Sequence, residues 1–147
     1  MSNDEMITQQ LIKALEDGYQ GYQKAADKLR ADGQGKLAET LRKYAHQRAG
    51  FATELKSMAS SYGDLVDQSG TLAGAVHRGW MTLKDAASGS SPAGVLDVAA
   101  KGEKHAVDEF QKALDSDLSP GLRTVVERQF AEVQAAHSAV SAMHITD

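Results

Sequence analysis

Between Leu37 and Tyr62, the residues Leu37, Leu41, Tyr44, Arg48, Phe51, Leu55, Met58 and Tyr62 follow one another in strict steps of four and three. That spacing lays eight side chains along a single stripe of an α-helix, with coiled-coil-like packing over nearly its whole length. Three further tracts repeat the pattern. Ile7, Leu11, Leu15, Gly18/Tyr19, Tyr22, Ala25/Ala26 and Leu29 form the first stripe. Leu96, Ala99, Glu103, Ala106, Phe110 and Ala113 form the third, and Leu122, Val126, Gln129, Val133, His137 and Val140 the fourth. The boundaries are also written in the chain. Asp32-Gly33 offers the left-handed position that ends a helix. Ser91-Pro92 and Ser119-Pro120 each read as an N-cap serine followed by proline in the first turn, where its missing N–H costs nothing. These are the chain's two prolines, so no tract is interrupted. The sequence predicts long helices over about 4–31, 34–62, 92–115 and 120–143.

Between the second and third tracts lie Gly63 to Gly70, then Leu72, Val76, Trp80 and Leu83 at helical spacing, then Ser88-Gly89-Ser90-Ser91. A shorter helix is expected over 71–87. At 1.5 Å per residue its length would rise ~24 Å, enough to carry the chain most of the way along a bundle. The favoured arrangement is therefore two antiparallel hairpins in up-down-down-up order, joined by a long crossover. The alternative is up-down-up-down with the extra helix across one end. With 147 residues, the chain is expected to be one domain over 1–147 that buries roughly 70% of its unfolded surface.

The fold class is thus all-α, a four-helix bundle with an extra crossover helix. A net charge of −4 without a Lys/Arg cluster gives no footprint for nucleic acid. No apolar run approaches the ~20 residues of a membrane helix, and the acidic start lacks a secretory apolar segment. A cytoplasmic protein is expected. Cysteine is absent, which removes disulfides, thiol catalysis and thiolate metal sites. No Ser-His-Asp ordering, phosphate loop or His-Glu-x-x-His motif occurs, and no catalytic residue is assigned.

Helical rise places polar residues where the core should be. Tyr19 lies about 14 residues before the first turn and Arg48 about 15 after it, so both stand ~21–23 Å from that turn. Glu103 and Gln134 stand at nearly the same height from the second. Arg48, Glu103 and His137 fall on the apolar stripes themselves. Leaving one of these charges buried and unpaired would cost ~3–5 kcal/mol, so an Arg48–Glu103 ion pair is expected, with Tyr19, Gln134 and His137 satisfying the remaining donors and acceptors. Gly18 and Gly102 precede polar positions in mid-helix and read as points of close packing. His77, Arg78 and Trp80 form a candidate partner or anion site, Arg and Trp being favoured at binding hot spots. His46, His105 and His144 fall off the stripes and are expected to face solvent.

The pattern resembles rubrerythrin and related ferritin-like bundles, which place Gly-Glu on the first and third helices and Glu-x-x-His on the second and fourth to hold two irons. Gly102-Glu103 matches the third-helix element. On the fourth helix His137 matches, and Gln134 stands where Glu should be. Tyr19 replaces Glu on the first helix, and Arg48 and Phe51 replace Glu and His on the second. Two of six ligand positions remain. The whole chain is also similar to a bacterial ferritin-like family of unknown function, through Asp17-Gly18-Tyr19-Gln20-Gly21-Tyr22, Gln47 to Leu55, Gly74 to Trp80 and Lys101-Gly102-Glu103. The resemblance implies a ferritin-like bundle, a homodimer, and a degenerate di-iron site with Glu103 and His137 as remnants. Two functions are left open: a non-catalytic scaffold or binding protein without metal or cofactor, and an iron- or manganese-binding protein with an altered site built from Glu103, Gln134 and His137, with Glu54 as a further ligand.

Overall fold

Four α-helices make up the computed structural model, which describes residues 3–61 and 91–145: α1 (Asn3–Ala31), α2 (Gly35–Ser61), α3 (Pro92–Leu114) and α4 (Pro120–Ser141). No strand occurs among the described residues. The helix expected over 71–87 falls outside them, as do His77, Arg78 and Trp80.

Each boundary has a local cause. Gly33 takes φ 83°, and the Gly33 N–H donates to the Arg30 carbonyl (3.1 Å) while Gln34 N–H reaches back to Leu29 (2.8 Å). Those are the two bonds of a Schellman motif, which satisfies carbonyls that α1 would otherwise leave open. Ser91 caps α3 through its hydroxyl, which accepts from Gly94 N–H at 3.2 Å. Ser119 stands at the N-cap of α4 without a side-chain cap bond. Its backbone N–H donates instead to the Asp4 carboxylate of α1 at 3.0 Å. A carboxylate here also meets the positive end of the α4 dipole. Arg123 closes the other side of this turn, donating to the Leu114 and Ser116 carbonyls at the end of α3.

Those contacts set the helix directions. The start of α1 touches the α3–α4 turn, since Asn3 Nδ2 donates to the Asp117 carbonyl (2.5 Å). So α1 runs up from that lower end, α2 returns down, α3 runs down again and α4 goes up. α1 packs most closely on α2, α3 on α4, and α1 faces α3; of the four neighbouring pairs, α2 and α4 approach least. All four neighbouring pairs are antiparallel.

Two apolar clusters fill the interior. The lower one gathers Leu11, Ile12 and Leu15 of α1, Leu55 of α2, Phe110 of α3, and Leu122 and Val126 of α4. The upper one holds Leu29, Leu41, Val95 and Val140, with many alanines. Each large aliphatic side chain so buried stabilises the fold by about 1.5–3 kcal/mol relative to exposure. Between the clusters, α2 passes from Ala45 to Ala52 and α3 from Ala99 to Ala106. Arg48 and Glu103 sit in that gap. No described helix is long and apolar enough to cross a membrane.

Candidate functional site

Arg48 occupies a stripe position of α2 and Glu103 one of α3, so helical periodicity turns both inward at one height. Their side chains are 1% and 0% exposed. The guanidinium meets the carboxylate as a two-pronged fork: Nη1 donates to Oε2 at 2.9 Å and Nη2 to Oε1 at 2.5 Å. Such bidentate pairs combine charge with fixed geometry. The third guanidinium donor, Nε, reaches Gln47 Oε1 at 3.2 Å. Tyr22 of α1 completes the group, its O–H donating to Glu103 Oε2. The same ring lies under Arg48, with the guanidinium carbon 5.5 Å from its centroid. Tyr44 packs tilted against it at 5.6 Å.

The network is neutral, and each guanidinium nitrogen and each carboxylate oxygen in it has a hydrogen-bond partner. Burial, then the neighbouring Glu103 carboxylate, raises the Tyr22 hydroxyl well above its ordinary value, against the opposing influence of Arg48. The phenol therefore stays a donor. Gly18 borders the site, and a Cβ there would stand 3.6 Å from Arg48 Cγ and 3.7 Å from Nη1. These are ordinary contacts, so the arginine does not demand glycine at this position.

The structure brings together Arg48 and Glu103, and corrects three of the partners expected beside them. Tyr19 is half-buried and its hydroxyl accepts from Gln23 Nε2 of its own helix at 3.2 Å. Tyr22, one turn further on, takes the place expected of it. Gln134 is exposed. His137 is half-buried on α4 and makes none of the hydrogen bonds of Arg48 or Glu103. The buried amide of α4 is Gln129, which donates to the Phe51 carbonyl (3.3 Å) and to Glu54 Oε1 (2.9 Å). Its Oε1 has no hydrogen-bond partner among the described residues. Glu54 also pairs with Arg128 at the surface. Burial alone would raise the Glu54 carboxyl, but the hydrogen bonds from Gln129 and Arg128 outweigh it and hold the group low. Glu54 is thus tied into this second group. His46 and His144 are exposed, while His105 is half-buried beside a groove shared with Lys13, Asp17 and Glu109.

Tyr22 and Gln129 join these groups although the ligand pattern does not mark them; both stand on the apolar stripes. That stripe position is the signal in the sequence that marks them as inward-facing.

A family model described as a domain of unknown function (DUF2383) matches residues 7–116. The chain belongs to the DUF2383 family. No curated protein matches it. In this DUF2383 chain the matched span holds Tyr22, Arg48 and Glu103, and leaves Gln129 and His137 of α4 outside.

The site residues of this DUF2383 protein do not fit a di-metal centre. Both Glu103 oxygens are engaged by Arg48 and Tyr22, and a guanidinium has no lone pair to offer a metal. Among the described residues no three His, Asp or Glu side chains converge to hold an ion.

Proposed function

We propose that this protein is a ferritin-like helical bundle acting as a non-catalytic scaffold or binding protein, with an internal ion pair standing where related bundles carry two metals. One observation carries the reading: the Arg48–Glu103 fork, at most 1% exposed, with the Tyr22 hydroxyl as a third donor on Glu103 Oε2. A buried carboxylate is a metal ligand only if its lone pairs point at an open position. Here an arginine from the facing helix brings the compensating charge with it. The up-down-down-up order of α1 to α4 supports the ferritin-like part of the reading, since bundles with one long crossover share it. What such a protein does then lies on its outer faces. On this reading it works in the cytoplasm as a homodimer, by analogy with ferritin-like bundles that pair.

Metal content after expression in iron-, manganese- and zinc-supplemented medium tests it. Well below one metal per chain is expected, together with a dimer by light scattering whose mass a chelator leaves unchanged. Two irons per chain, with iron-dependent oxygen consumption that Glu103→Ala abolishes, would overturn it.

A further inference from the structure

We infer that the Tyr22–Arg48–Glu103 network is a register lock between the two hairpins, selecting one alignment of α3 against α1 and α2 rather than supplying net stability. It lies in the gap between the two apolar clusters. Tyr22 and Arg48 come from the first hairpin and Glu103 from the second, so all three charged or phenolic bonds of the network cross between hairpins.

Immediately beside the pair, the apolar side chains do little to discriminate between alignments. Ala45 and Ala52 flank Arg48 on α2, and Ala99 and Ala106 flank Glu103 on α3, all buried. Sliding α3 by one turn would bring Ala99 or Ala106 opposite Arg48. At those four positions small side chains resist the displacement little, and the ~5.4 Å shift of a turn keeps the stripes facing each other; Phe110 and the bonds that join Asp4 and Glu54 to the second hairpin oppose it further along. The ion pair does not accept it. A slipped α3 strands a guanidinium and a carboxylate in the interior at once, and removes the acceptor of the Tyr22 hydroxyl. Polar groups set into an otherwise apolar helical seam are best attested in this role, and apolar replacement of a whole buried ion pair is often neutral for stability.

Distance measurement between spin labels tests the lock. The chain has no cysteine, so Lys36→Cys and Lys112→Cys, both at exposed positions, give two unique attachment points. Lys36 lies about 12 residues above Arg48 on α2 and Lys112 about 9 below Glu103 on α3, an axial separation of ~32 Å. The labelled protein should show one distance. In the Tyr22→Phe/Arg48→Met/Glu103→Leu background it should stay helical and gain a second population displaced by ~5 Å. A single unchanged distance in that background would show that apolar packing alone fixes the alignment. Loss of helical structure would show that the network supplies stability, and would equally overturn the inference.

Discussion

Breaking the central pair one partner at a time should have unequal consequences, because the Tyr22 hydroxyl bonds one ion and not the other. In Arg48→Met, Glu103 Oε1 loses its donor while Oε2 keeps the Tyr22 hydroxyl. In Glu103→Leu the guanidinium loses both carboxylate acceptors, and the Tyr22 hydroxyl loses its Glu103 acceptor as well. Each single variant leaves one ion buried without its partner, a loss of about 3–5 kcal/mol. Glu103→Leu should lose about 1 kcal/mol more than Arg48→Met, for the hydroxyl. Arg48→Met/Glu103→Leu removes both charges with little change of volume and should lie within about 2 kcal/mol of the parent. Urea denaturation followed by circular dichroism measures all four proteins. A double variant that loses the sum of the single losses would show that the pair does not act as a unit, and equal losses in the two single variants would refute the part given to Tyr22.

Tyr22 carries an alkaline signature. Its hydroxyl is raised by burial, so the folded state resists losing that proton, and stability present below pH ~10 should decline as pH rises beyond it. Absorbance titration should find one of the four tyrosines ionising only with unfolding, and Tyr22→Phe should remove that late step. Gln129→Leu deletes an amide whose oxygen lacks a partner among the described residues; it should be neutral or stabilise by up to about 1 kcal/mol in urea titrations, whereas a loss above about 2 kcal/mol would mean that the bonds to Phe51 and Glu54 dominate. Gly33→Ala places a side chain at φ 83° with no atom of the described residues within 4 Å. The cost is conformational alone, about 1 kcal/mol, read as a melting temperature lower by roughly 3 °C.

How far the chain could be read in advance follows from which forces act locally. Helix ends depend on residues within one turn of one another, so Asp32-Gly33 and Ser91-Pro92 placed α1 and α3 within a residue or two. The facing of Arg48 and Glu103 followed from counting rise per residue from two short turns, which is accurate to about one turn. That margin separates Tyr19 from Tyr22, three positions apart on the same broad stripe, and only the lateral packing of α1 against α3 decides between them. Gln134 is marked only by its offset from His137 in the Glu-x-x-His pattern. The periodicity of Leu122, Val126 and Val133 pointed to Gln129 instead, and burial follows that periodicity. Ser119 shows a different limit: its place at the head of α4 is local, but the partner of its N–H is Asp4, at the far end of the sequence.

The separation of 55 positions between Arg48 and Glu103 also orders events during synthesis. The first hairpin leaves the ribosome carrying its cation while the carboxylate has yet to be made; at some 5–20 residues per second the wait lasts several seconds. Until then Arg48 is best left in water, so the inner faces of α1 and α2 have reason to stay wet rather than collapse on themselves or on a neighbouring chain. Arrival of Glu103 changes the sign of that preference. A charge that looks like a burden in the finished molecule thus protects the half-made one.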